Sequence, residues 1–272
     1  MRVDAVGAVT GWAALRLYGA AFFDGLAPDG RTTMPVPLVS PHHLADTADS
    51  ITSRASLAGH RLWVVQGVRC VGVERAVVDE IARVDDLREA VVVIDMACAA
   101  RITSLARIRS YAERHPRARA LVLSALALAS EHSLSPQETR MRLVWVLDAG
   151  WPEPACNRIV YAPSGQILGR PDLLDMETGV VGEYNGAFHR GRARHRSDVG
   201  RAELFRSHGL EPFEVVAGDG PEVQIARMRS ARERALGGVT PRRWTTDPPP
   251  GALVPAEMSV DEELDLHAWP AD

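Results

Sequence analysis

The chain contains no lysine, so its 31 basic residues are all arginine. A P-loop lysine, a Schiff-base lysine and a kinase-type lysine are thereby excluded together. Arginine abundance also follows from GC-rich coding, so only the placement of arginines bears on function. Cysteine is scarce: Cys70, Cys98 and Cys156 are far apart, odd in number and form no CxxC pair. That excludes a zinc knuckle and a disulfide framework and fits a reducing cytoplasm. No apolar run approaches the roughly 20 residues needed to cross a bilayer, so no membrane partner is expected. The first residues, "MRVDAVGAVTGW", lack a basic start followed by an apolar core, which argues against a secretory signal.

What remains is an ordinary globular composition, 46% hydrophobic and 24% charged over 272 residues. That length suits one large domain or two smaller ones, at about 150 residues each. Charge is unevenly placed. From Asp247 to Asp272 there are seven acids and no arginine, in a Pro-rich stretch, and the rest of the chain carries +3 against −4 for the whole. Such a segment buries too little apolar surface to offset its ordering entropy, so residues 241–272 are expected to be a disordered, solvated tail.

The pattern predicts a mixed α/β protein. Residues 10–20 read as a helix with Thr10 as N-cap and Gly19 near its end, and 34–39 and 61–73 as strands. Residues 74–84 have helical spacing, with Ala76, Val77, Ile81 and Val84 on one side. Two more helices follow, one capped by Thr103, separated at His115–Pro116 because the residue before proline leaves the helical region. From Ser133 the pattern changes. "SPQETRMRLVWVLDAG" opens with a capping box, Ser135 as cap, Pro136 next and Glu138 three residues on, and closes at Gly150 and Pro152. The predicted order from 135 is helix, three strands ("NRIVY", "GQILGRPDLLD", "GVVGEYNG"), helix, strand, helix. In the second helix Val199, Ala202 and Phe205 form one stripe and Gly209 ends it.

Within "RPDLLDMETGVVGEYNGAFHR" (170–190) two apolar runs flank a polar turn. If residues 176–179 form a four-residue loop, Asp172 falls directly opposite Glu183 and Arg170 opposite Asn185. Carboxylates about 5 Å apart repel unless a proton or a cation intervenes. Such a pair suits a hard divalent ion such as Mg²⁺ or Mn²⁺, which takes oxygen ligands and keeps several waters. The plainer alternative is a hairpin with two exposed acids, and a one-residue slip would put them on opposite faces.

"SPQETRMR", "GRPDLLD", "VVGEYNGAFHR" and "SDVGRAELFRSHGLEPFEVV" together resemble the PD-(D/E)XK nucleases, in the branch related to very-short-patch-repair endonucleases. The resemblance runs from about Ser135 to Asp219 and implies a restriction-endonuclease-like core at 133–240. It further implies metal-dependent hydrolysis of DNA phosphodiesters, with Asp172 and Glu183 as metal ligands and Glu138 as a helper. The family's lysine position holds Asn185, which carries no charge; Arg170 and His189 are the residues that would have to replace it. The alternative is a catalytically degenerate nuclease fold acting as a nucleic-acid-binding, antitoxin-like regulator. Six arginines lie between Arg190 and Arg206, and Arg190, Arg192, Arg194 and Arg201, with Arg170, are expected to face a DNA backbone. The competing account is codon bias with a local Arg194–Asp198 pair, and the resemblance also implies that Arg201 and Asp198 brace the fold. Ahead of this, "VTGWAALRLYGA" and "GVRCVGVERAVVDEIARV" make 1–95 similar to the central part of AbiEi-type antitoxins of type IV toxin–antitoxin systems. That implies a partner protein in a defence or toxin–antitoxin system. Residues 96–132 read as a helical connector.

Overall fold

The computed structural model describes residues 7–27, 29–42, 45–186, 192–250 and 259–266, with the backbone alone over 192–199. Contacts divide the chain into two units, residues 1–131 with 258–272, and residues 132–257. Among the described residues no helix is long and apolar enough to cross a membrane.

In the first unit, β1 (Ala8–Val9), α1 (Gly11–Leu17), β2 (Val36–Val39), β3 (Ser50–Ser53), β4 (Leu62–Val65) and β5 (Val68–Val71) precede four helices. These are α2 (Val73–Val84), α3 (Leu87–Ala99), α4 (Leu105–Arg114) and α5 (Arg119–Leu126). The sheet order is β3-β2-β1-β5-β4, parallel at β2–β3 and β1–β5 and antiparallel elsewhere. Residues 61–73, read as strand, form a hairpin turned at Gln66 and Gly67, both at positive φ. The helix after Arg101 is capped by Ser104, whose hydroxyl accepts from the Arg107 amide, and not by Thr103, whose hydroxyl goes to Glu74. α3 runs unbroken through residue 95, where the sequence reading had drawn a boundary. Acids of α2 hold α1 in place. Asp79 accepts from Thr10 and from buried Arg75, and Glu80 accepts the Trp12 amide at the start of α1.

In the second unit, α6 (Pro136–Leu143) has the expected capping box and passes into a π-helical turn, Val144–Asp148. There follow β6 (Ala155–Cys156), β7 (Val160–Tyr161), β8 (Ile167–Gly169), β9 (Leu173–Leu174), β10 (Val180–Asn185), α7 (Arg192–Ser207), β11 (Glu211–Val216) and α8 (Pro221–Gly237). The main sheet runs β11-β10-β9-β6, with β7 and β8 as a separate ribbon. The stretch 165–175, read as one strand, is two. Pro171 has no N–H to give a ladder, and the Arg170 carbonyl accepts from Arg201. β10 is antiparallel to β9 and parallel to β11.

Side chains alternate across this sheet. Leu173, Val180, Phe213 and Val215 pack with Met141, Trp145, Met228 and Ala231 on one face. Leu174 and Val181 pack with Phe205, Leu210 and Trp244 on the other. All three cysteines are buried and outside any disulfide, Cys70 and Cys98 in the first unit and Cys156 in the second. Burial pushes the Cys70 thiol up to about 11.

The stretch 241–272, expected to be disordered, is ordered where it is described: Trp244 is buried and Thr245 pairs with Tyr161. Residues 260–266 form α9 (Val260–Leu266), which belongs to the first unit and buries Val260. Composition missed it because its acids are held by arginines far away in the sequence, Arg107 and Arg101.

Gly182 has no room for a side chain: an added Cβ would lie 2.5 Å from the Phe213 ring. Gly182→Ala is expected to destabilise the second unit by about 1–3 kcal/mol. Gly186→Ala, whose methyl meets nothing within 4 Å, leaves stability unchanged. Thermal unfolding followed by circular dichroism checks both.

Candidate functional site

The β9–β10 register is Leu174↔Val181 and Leu173↔Gly182. Extended one step beyond the paired residues, this register sets Asp172 opposite Glu183, the position that the loop length predicts. The turn that sets this register is built by Asp175. Its carboxylate accepts from the Glu177 and Thr178 amides and the Thr178 hydroxyl, while Gly179, at positive φ, donates to the Asp175 carbonyl.

By alternation, Glu183 and Asn185 share the face of Val181, toward α7, and Asp172 shares the face of Leu174. Asp172 Oδ2 accepts the Tyr184 amide at 2.7 Å. Burial pushes its carboxyl up to about 7, with the nearby charges of Glu138 and Glu183 adding to the rise; the Tyr184 amide and Arg201 oppose it. Glu183 Oε1 pairs with Arg201 Nη2 at 2.7 Å. Arg201 reaches it from α7, stacked against Phe205, and donates a further bond to the Arg170 carbonyl.

Glu138 is fixed at the start of α6. Its carboxylate accepts from Ser135 Oγ, the Leu134 amide and Asn157 Nδ2. Asn157, at φ +52°, ties this corner together: its own amide donates to the Asp172 carbonyl and its carbonyl accepts from Arg170 Nε. Arg170 and Asn185 therefore form bonds in different directions. Asn185 donates to Glu214, which stands beside Glu183 in the parallel β10–β11 register.

The structure thus brings Glu138, Asp172, Glu183 and Arg201 into one electrostatic group. His189 and Arg190 lie outside the described residues, and Arg192 and Arg194 lie on α7 where the backbone alone is described. Asn157 and Glu214 were not foreseen. Period-two spacing does place Pro212, Glu214 and Val216 on one face, but their pairing with β10 depends on a long crossover. A pocket of about 520 Å³ opens beside Glu183, lined among others by Asn185, Glu214, Phe205 and Arg206.

The donors suit a hard divalent ion: all are carboxylate oxygens, and the three acids outnumber the one arginine between them. Among the described residues no group of three or more histidine, cysteine, aspartate or glutamate side chains is arranged to hold a metal ion. Mg²⁺ does not need one, since it binds through one or two carboxylates and keeps its waters.

A carboxyl whose folded value is raised favours folding while protonated. That contribution is full below the ordinary value of 3.8 and is lost as pH rises through about 7. An NMR carboxyl titration of metal-free protein is expected to place the Asp172 midpoint near 7, against 3.8 for the free group. Stability should fall between about pH 4 and about pH 7, and Asp172→Asn should flatten that fall.

No family model, curated protein or solved structure matches the chain, so its chemistry has to be read from these side chains.

Proposed function

We propose that the second unit is a metal-dependent DNA endonuclease domain of PD-(D/E)XK type, with Asp172 and Glu183 holding Mg²⁺ or Mn²⁺. The observation that carries this reading is the facing pair itself. A buried carboxyl raised toward neutrality beside a second acid is what a cation site looks like before the cation arrives. A bound ion would supply charge neutralisation at the phosphate and a more acidic water.

The protein's own groups have distinct parts. Asp172 would hold the ion as a carboxylate, with its Oδ2 oriented by the Tyr184 amide. Glu138, locked by Ser135 and Asn157, keeps a fixed negative charge near Asp172 and favours a cation there. Arg201 is the positive charge beside Glu183 and stands closest to the part of the absent lysine. Asn185, bonded to Glu214, does not take it.

Two features favour the second reading, a nucleic-acid-binding regulator without catalysis: the Arg201–Glu183 pair and the neutral Asn185. A role in a defence or toxin–antitoxin system, with a partner protein, rests on the resemblance of residues 1–95.

Incubation with plasmid and oligonucleotide DNA decides between them. Cleavage is expected with Mg²⁺ or Mn²⁺, is abolished by chelation, and falls to background in Asp172→Ala and Glu183→Ala. Glu138→Gln should weaken metal affinity by about 10–100-fold, measured by titration calorimetry. DNA binding without cleavage under either metal would select the regulator.

A further inference from the structure

Two oppositely charged segments, distant in sequence, meet in the first unit. Residues 101–119 carry six arginines and one acid, Glu113, along and beyond α4. Against α4 lies α9, which bears Asp261, Glu262, Glu263 and Asp265 in seven residues. Asp261 accepts from Ser104 Oγ at 2.7 Å and from Arg107 Nε at 2.9 Å, Asp265 accepts from Arg107 Nη2, and Glu263 pairs with Arg101 at 3.4 Å.

The arrangement has the chemistry of a phosphate contact. A hydroxyl at a helix start and a guanidinium one turn on converge on a single anionic oxygen, Oδ1 of Asp261. Arg114, two turns on from Arg107, continues the same face of α4, while Arg117 turns away to pair with Asp79. Asp261 and Asp265, one turn apart, both reach Arg107.

The docking is weak. α9 is too short to hold helical form on its own, buries only Val260 among its described residues, and is joined to α4 by solvent-exposed pairs that contribute little each. A polymer with a dense line of phosphates can displace it.

We infer that the face bearing Arg101, Ser104, Arg107 and Arg114 is a nucleic-acid backbone-binding surface and that α9 is a built-in competitor that occupies it. This does not rest on the nuclease reading, since it concerns residues of the first unit and binding alone. α9 lowers affinity for nucleic acid until a polyanion of sufficient length exchanges with it.

The test uses the full chain and a fluorescent DNA duplex in chelator, where cleavage cannot contribute. Binding is followed by anisotropy between about 50 and about 200 mM salt. The variant Asp261→Asn/Glu263→Gln/Asp265→Asn keeps the shape of α9 and removes its charge. It is expected to bind about tenfold tighter, with a log–log salt slope steeper by about 2, one for each arginine released. Adding Arg107→Ala to that variant should return the slope by about 1 and remove most of the gain, whereas Arg107→Ala alone should change binding little. An unchanged affinity and slope in the triple variant would overturn the inference. So would a gain that Arg107→Ala leaves intact, since that assigns it to net charge alone. Circular dichroism confirms that each variant is folded.

Discussion

The pairing of Leu173–Leu174 with Val181–Gly182 determines where every acid of the second unit stands. A slip of one residue would turn Glu183 and Asn185 onto the Trp145 face and carry Val180 away from its core. Two things prevent the slip. Asp175 satisfies the turn's amides and hydroxyl, leaving no donor to favour a longer loop. The Phe213 ring fills the space over Gly182, where no other residue fits without displacement. Because β11 then runs parallel to β10, the same register brings Glu214 beside Glu183 and fixes Asn185.

The parts of this arrangement legible in the sequence were the local ones. Loop length alone gave the Asp172–Glu183 opposition, because a tight hairpin leaves one parameter, and that parameter is visible as "DMETG". The Ser135–Glu138 box was equally readable, its partners lying three residues apart. What could not be read was set by distant packing. Asn157 joins Glu138, Asp172 and Arg170 only because the chain turns there through positive φ. Arg201 is one arginine among many in the sequence, and only the packing of α7 against β8 and β11 brings it to Glu183. The choice of Ser104 over Thr103 as a cap turned on whether Glu74, on another helix, claimed the neighbouring hydroxyl. α9 was hidden for the same reason: its composition describes a solvated tail, and only Arg107 makes it a docked helix.

A chain without lysine uses guanidinium groups for structural as well as binding purposes. Arg75 bridges Asp79, His60 and a backbone carbonyl inside the first unit. Arg227 holds Asp219 at the end of β11, and Arg242 lies over the Trp244 ring. Such forked donors satisfy several acceptors at once in a way that an ammonium on a flexible stem does not. Arginine count is therefore a poor guide to nucleic-acid contact here, and the informative arginines are those facing acids that a polyanion or a cation would replace.

The three free thiols divide between the units, Cys70 and Cys98 in one and Cys156 in the other, each shut away from solvent. Burial also holds the Cys70 and Cys98 thiols above their ordinary range, so neither offers thiolate until its unit opens. Alkylating reagents consequently act as gauges of opening. Labelling of Cys156 times the exposure of the sheet that carries the acids, and labelling of Cys70 and Cys98 times that of the first unit. The chain thus records, without any introduced probe, whether its two halves open together or one at a time.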